Sequence, residues 1–379
     1  MGLPRSPDVG VAHEATGHAP ARKWLAWVKG CGASYLKRAF RLVTSYPEVS
    51  MITVVKRTTA RVGQHCHHAI VLLALLACAP PVEISPPPAD APATAVALAG
   101  AAVMIGTGDI ASCTSSGDEA TAQLVDSVLK ADSAAGVENY VFTLGDNVYP
   151  SGSARDFERC WKPSWGDSSK RIMKWIRPSP GNHEHDTEWA APYYRYFGER
   201  AGEPDKGYYS YKAGEWHVVV LNSVLAVSGR ASAADRRAQE EWLRRDLSEH
   251  RTRCTMAYWH HPRFSSGTHG GVIRMEPIWR ILHEAGVDLV FAGHDHHYER
   301  FLPQGPDATL DTLRGITQIL VGTGGGTLRG LRRPYARHSA ARVQGHFGVL
   351  KVTLGSGEYQ HAFLDVSGRV WDRGGGKCH

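Results

Sequence analysis

Three absences narrow the reading of this 379-residue chain before any motif is considered. No apolar run reaches the roughly 18 residues a membrane-spanning helix needs, which excludes a permanent transmembrane helix. The seven cysteines include no Cys-x-x-Cys pair, which argues against a structural zinc site. A basic excess is missing from most of the chain. The formal charge of +6 belongs to the front, where residues 1–50 hold seven Lys/Arg against three Asp/Glu. Lys56, Arg57 and Arg61 follow with no acid before residue 78, and the rest is close to neutral. No basic stripe there asks for a nucleic-acid partner. What remains is the composition of an ordinary globular protein, long enough to bury a core.

The segment "MITVVKRTTARVGQHCHHAIVLLALLAC", residues 51–78, has the layout of a secretory signal: a basic opening, an apolar stretch from Ala69 to Ala77, and a small residue before Cys78. Leu75-Leu76-Ala77-Cys78 resembles a bacterial lipobox, which implies a lipid anchor at Cys78; plain secretion with cleavage nearby is the alternative. His65, Cys66, His67 and His68 fall in the segment to be removed and are given no metal role. Because such signals begin a chain, translation is expected to start at or near Met51, with 1–50 an upstream extension. Residues 79–99, rich in Pro and Ala, read as an extended tether. The catalytic domain is expected over 100–379, exported and either anchored or free.

That domain keeps Cys113, Cys160, Cys254 and Cys378. An even number in an exported domain reads as two disulfides. Three pairings are possible. Cys113–Cys160 with Cys254–Cys378 is preferred, the second pinning the C-terminal tail.

From residue 100 apolar strands alternate with amphipathic helices, and five strands end in polar residues. "AAVMIGTGD" ends at Asp109, "ENYVFTLGDNVY" carries Asp146, and "KWIRPSPGNHEHD" carries Asn182. "CTMAYWHHP" ends at His260, and "VDLVFAGHDHHYER" carries His294 and His296. Functional groups gather at the carboxyl ends of strands in α/β sheets. Five such ends bearing O and N donors without sulfur point to a hard or borderline metal, and seven donors exceed what one ion needs. In an extended stretch residues two apart share a face. His294 and His296 then face the metals, while Asp295 and His297 point elsewhere.

The ordered set GD (108–109), GDNVY (145–149), GNHE (181–184), HHP (260–262) and GHDHHYER (293–300) resembles the metallophosphoesterase superfamily, and within it the purple acid phosphatase branch. The match covers roughly residues 100–372, without the large N-terminal β-domain of plant members. It implies a four-layer αββα sandwich, two mixed sheets flanked by helices, with the metal site at strand carboxyl ends. It also implies that Asp146 bridges two metals, that Asp109, Tyr149 and His296 complete one site, and that Asn182, His260 and His294 complete the other. Most superfamily members carry Asp-x-His at the first motif; here Asp109-Ile110-Ala111 has none, and Tyr149 follows Asp146 by three. A tyrosinate is a hard anionic donor. The implied pair is Fe(III) with Fe(II), Zn(II) or Mn(II), and its charge exceeds that of its three anionic donors. The surplus attracts phosphate and acidifies bound water.

The implied reaction is hydrolysis of small phosphomonoesters by metal-bound hydroxide. Phosphodiesters or nucleotides are the alternative substrates, and a non-catalytic phosphate-binding module the alternative role. His183 is the candidate proton donor or phosphate contact, with Glu184 placed to orient it. His269 resembles a second substrate histidine. His261 is expected to support the site, and Arg263 either to touch substrate or to be solvated. "VGTGGG" (321–326) lacks the GK[ST] of a P-loop and reads as a tight turn at the rim. His217, His283, His338, His346, His361 and His379 read as scattered structural or surface residues.

Overall fold

The computed structural model describes residues 101–379. The expected extension, signal, lipobox at Cys78 and tether lie outside them. Among the described residues no helix is long and apolar enough to cross a membrane.

Strands follow the apolar runs. The first three are β1 (Ala102–Thr107), β2 (Glu138–Leu144) and β3 (Ile176–Ser179). Next come β4 (Tyr209–Ala213), β5 (Trp216–Val220), β6 (Thr255–Tyr258), β7 (Leu289–Ala292), β8 (Tyr298–Phe301), β9 (Thr317–Val321) and β10 (Ser339–Val343). The chain closes with β11 (Gly348–Gly355), β12 (Glu358–Asp365) and β13 (Val370–Lys377). β1, β5, β6 and β7 are buried along their whole length, as expected of strands covered on both faces.

They form two mixed sheets. One has the order β13-β12-β11-β1-β2-β3, with β1, β2 and β3 parallel and β11 to β13 antiparallel. The other has the order β10-β8-β9-β7-β6-β5-β4, with a parallel centre, β5-β6-β7-β9. Phe142, Leu144, Val218, Tyr258, Phe291, Val321, Leu350 and Phe363 pack between the sheets. Each such fully buried side chain contributes on the order of 2 kcal/mol, and this seam holds together the two sets of strand ends described below.

Helices cover the outer faces. α1 (Gly117–Ala134) sets Val125 and Leu129 against Ile105 and Val141. α2 is the short helix Asn182–His185. α3 (Ala233–Glu249) is capped by Ser232, whose hydroxyl accepts from the Asp235 amide at 3.1 Å. It buries Leu243 beside Ile278, Trp279 and Leu282 of α4 (Glu276–Glu284) against Val219 and Val290. The layers therefore run helix, sheet, sheet, helix.

The two disulfides are Cys113–Cys160 and Cys254–Cys378, the preferred pairing. The β8, β10 and β13 strands were not anticipated. β13 carries three consecutive glycines at an exposed sheet edge, a composition that gives no apolar alternation to read.

Candidate metal centre

Five parallel strands deliver the site. Asp109 follows β1, Asp146 follows β2, Asn182 opens α2 just after β3, His260 follows β6 and His294 follows β7. The first three ends belong to one sheet and the last two to the other. Asp109, Asp146 and His294 all have left-handed backbones, at φ 59°, 45° and 72°, which swings each side chain off its strand axis into the shared space. The glycines alongside allow close approach. A Cβ at Gly145 would lie 2.7 Å from His260 Cβ, and one at Gly181 would lie 2.2 Å from Asp146.

Two donor groups share Asp146. In the first, Tyr149 Oη donates to Asp109 Oδ1 at 3.1 Å and lies 3.4 Å from Asp146 Oδ2 and 3.2 Å from His296 Nε2. His296 Nε2 is 3.2 Å from Asp109 Oδ1. In the second, His260 Nε2 is 3.0 Å from Asn182 Oδ1, 3.1 Å from His294 Nδ1 and 3.3 Å from the same Asp146 Oδ2. The outer ring nitrogens are fixed by backbone: His260 Nδ1 by Leu144 O at 2.7 Å and His296 Nδ1 by Thr327 O at 2.6 Å. That orientation turns each Nε2 inward.

The charge balance fits cations. Asp109 and Asp146 are buried, and their counter-charges among the described residues are histidines. Burial pushes the Asp109 and Asp146 carboxyls up. For Asp109 the charge and hydrogen bond of His296 outweigh that, for Asp146 those of His260 do, and both carboxyls end low. Burial likewise drives protons off His260, yet Asp146 reverses this and holds the imidazolium up to about 9. Burial, then Asp109 and Asp146, keep the Tyr149 phenol far above its ordinary value. The donors are thus spaced like the edges of coordination polyhedra, roughly 3 Å for metal–ligand bonds of about 2.1 Å. They hold protons where metal ions would displace them. All are O or N, which suits hard and borderline ions.

The stretch 293–297 is not extended. The amides of Asp295 and His297 donate two residues back, to Gly293 O and Asp295 O at 2.9 and 2.8 Å, and β8 begins only at Tyr298. The side chains still alternate, because two successive tight turns reverse them. Asp295 leaves the site and accepts from Ser265 Oγ and from the amides of His269 and Gly270. His297 pairs with Glu299 at 3.0 Å.

Around the donors, His183 is about one-third exposed. Its Nδ1 is engaged by Pro150 O at 2.6 Å, which leaves Nε2 facing Asp146 Oδ2 at 3.8 Å. The ring of exposed His269 lies 4.5 Å from that of His294. His261 is buried, its Nδ1 bonded to Ser223 Oγ at 2.9 Å and its ring 4.5 Å from His294. Burial, foremost, drives protons off it.

Four expectations need correction. Glu184 does not orient His183: it accepts from the amides of Gly181, Asn147 and Val148. Arg263 is neither solvated nor at the site; it is buried, donates to Pro306 O and lies over Phe264. Residues 321–326 lie beneath the centre, not on its rim. A Cβ at Gly322 would come 2.6 Å from Asp109 Oδ2, and one at Gly326 would lie 3.2 Å from His296. His217 is not a scattered residue but part of a cluster with Asp246 and His250.

Comparison with known proteins adds a family. Residues 105–298, just over half of the chain, match the family described as calcineurin-like phosphoesterase. The chain is 29% identical over 199 residues to Purple acid phosphatase 18 of Arabidopsis thaliana, covering 51% of this chain and 41% of that protein. It is 24% identical over 272 residues to Acid phosphatase type 7 of Mus musculus, covering 62% and 59%. The chain thus spans less than half the length of its plant relative. Among solved structures it is similar to a purple acid phosphatase from yellow lupin (Lupinus luteus) seeds, at TM-score 0.59 and 18% identity, covering 73% of this chain and 53% of that one. It is equally similar in fold to the anchor protein of the Plasmodium inner membrane complex, at TM-score 0.59 and 14% identity, covering 74% and 89%.

Proposed function

Since the chain belongs to the calcineurin-like phosphoesterase family and its homologues are purple acid phosphatases, we propose that it is a two-metal hydrolase of phosphomonoesters. One observation carries this: seven O and N donors from five strand ends meet around Asp146 Oδ2, which lies 3.4 Å from the Tyr149 group and 3.3 Å from the His260 group. Fold alone would not suffice, because an anchor protein shares it.

When metals are bound, Asp109, Tyr149 and His296 would hold one ion and Asn182, His260 and His294 the other, with Asp146 available to both groups. When bound, an Fe(III) ion beside Fe(II), Zn(II) or Mn(II) supplies Lewis acidity, a nucleophile from water and the positive charge that attracts phosphate. Tyr149 and Asp109 favour the trivalent ion through their anionic oxygens. His183 holds the proton for the leaving oxygen on Nε2, the nitrogen that Pro150 leaves free. His269, its ring tilted against that of His294 at the exposed edge, contacts the phosphate. The two disulfides suit an oxidising compartment, in keeping with export of a domain over 100–379 behind a signal at 51–78.

A second substrate class has an observation of its own. No Asp or Glu occurs from Thr323 to Gly357, while Arg329, Arg332, Arg333, Arg337 and Arg342 do. The Arg329 amide donates to His296 O at 3.1 Å and the Arg332 amide to Ser266 O at 2.8 Å, so this basic loop borders the centre. It favours substrates carrying more than one phosphate, such as nucleotides.

The test is metal analysis with a visible spectrum, alongside hydrolysis of p-nitrophenyl phosphate, its bis ester and a nucleoside diphosphate. Two ions per centre, a tyrosinate–iron band lost in Tyr149→Phe, and preference for the monoester support the proposal. Folded protein that binds no metal and turns over none of the three sinks it.

A further inference from the structure

A second group of metal-binding side chains stands at the opposite end of the sheet. His217 lies at the start of β5, where it pairs with Thr255 at the start of β6. The candidate centre lies beyond the carboxyl ends of β6 and β7. Asp246 and His250 are four residues apart at the C-terminal turn of α3, a spacing that puts two side chains on one helix face. The strand histidine meets that face. His217 Nε2 is 2.7 Å from Asp246 Oδ2, and His250 Nδ1 is 3.3 Å from Asp246 Oδ1. His250 Nδ1 is also 3.0 Å from the backbone O of Asp246, a contact that an ion on this nitrogen would replace. One donor atom from each of the three lies within 4.8 Å of the others.

Several features favour an ion over a plain hydrogen-bond network. The two imidazoles stack at 4.8 Å and 16°, so both present an edge to one carboxylate from the same side. Asp246 is buried, and its ion-pairing partners among the described residues are these two histidines. Ser210 Oγ donates to Asp246 Oδ1 at 2.7 Å, fixing the carboxylate as outer partners of metal ligands do. Donors that share one zinc-type ion sit about 3.3 Å apart; the two carboxylate–imidazole spacings are near this, and the three-atom spread of up to 4.8 Å would contract around an ion. His250 also lines an open cavity of about 480 Å³ with Arg251, Thr252 and Thr255, which opens its ring to solvent.

We propose that His217, Asp246 and His250 bind a divalent ion of the zinc type at a site separate from the phosphoesterase centre. Two imidazoles and a carboxylate suit Zn(II), Ni(II) and Cu(II) better than Mg(II) or Ca(II). The ion ties the end of α3 to β5 and stabilises the native chain by mass action.

The test titrates the full chain, its phosphoesterase centre already loaded, with Zn(II) alone. The wild type is expected to take up one further equivalent and to unfold at a higher temperature. His250→Ala, which alters a half-exposed ring, keeps its phosphatase activity but loses the thermal shift and binds the extra ion at least tenfold more weakly. Cu(II) in the same site should show imidazole nitrogen couplings in its electron spin resonance spectrum, reduced in His250→Gln. No further equivalent, or one bound equally well by His250→Ala, overturns the proposal. Because the primary centre is loaded beforehand, its failure to hold metal registers separately.

Discussion

The carboxylate of Glu184 accepts the backbone N–H of Asn147 at 2.8 Å. Its other oxygen takes the Gly181 N–H at 2.7 Å, and the Val148 N–H lies at 3.2 Å from the first. One fully buried side chain thus ties the loop that carries Asp146 and Tyr149 to the turn that carries Asn182 and His183.

Glu184→Ala leaves those amides buried and unpartnered. The expected cost is on the order of 3 kcal/mol of stability, read by denaturant melts. A drop in kcat of about tenfold or more should accompany it, because both donor groups lose their register. Glu184→Gln, which keeps an acceptor oxygen, should recover part of both. If Glu184→Ala were as stable and active as the wild type, these contacts would not hold the site.

His296 and His297 are adjacent yet should behave differently. His296 Nε2 addresses Asp109 and Tyr149, whereas His297 is buried against Glu299. Replacing His296 with Ala should release metal and lower activity by at least about a hundredfold. Replacing His297 with Ala should leave metal content near the wild-type level and cost about 1–3 kcal/mol of stability. Metal analysis of the two purified variants decides it; equal metal loss would show that both rings face the centre.

Asp372 joins the two sheets. It accepts from Tyr298 Oη at 2.6 Å and from Arg300 at 2.7 and 3.0 Å. Burial pushes its carboxyl up, but His361, Arg300 and Tyr298 outweigh that and hold it well below the ordinary value. A lowered carboxyl contributes stability above its unfolded value of about 4, and that contribution fades as pH falls toward the folded value. The melting temperature of the wild type should therefore fall more steeply between about pH 5 and pH 3 than that of Asp372→Asn. Parallel curves would remove Asp372 from the acid response.

Much of this arrangement was legible in the sequence, for identifiable reasons. Strands buried on both faces read as plain apolar runs, and a Gly-Asp, Gly-Asn-His, His-His-Pro or Gly-His step after five of the strands marks where the chain turns into the site. The side chains of His294 and His296 fall on one side and those of Asp295 and His297 on the other, but through backbone turns at 293–297 rather than an extended strand, and such turns leave no apolar signature. The clamp at Glu184 was missed since its partners are backbone amides, which every residue has. The glycine run at 321–326 read only as a turn, and it is the fold that brings it beneath Asp109. The His217–Asp246–His250 cluster joins a strand to a helix end 29 residues later; its i, i+4 half was visible, its third member was not.

The most direct measurement is metal content and p-nitrophenyl phosphate turnover in Asp146→Ala beside the wild type. Asp146 Oδ2 is the atom common to both donor groups, so the variant should lose both ions of the centre together and with them at least about a thousandfold in kcat, while staying folded. An Asp146→Ala protein that keeps both ions, or turns over at the wild-type rate, would contradict a centre built around that carboxylate.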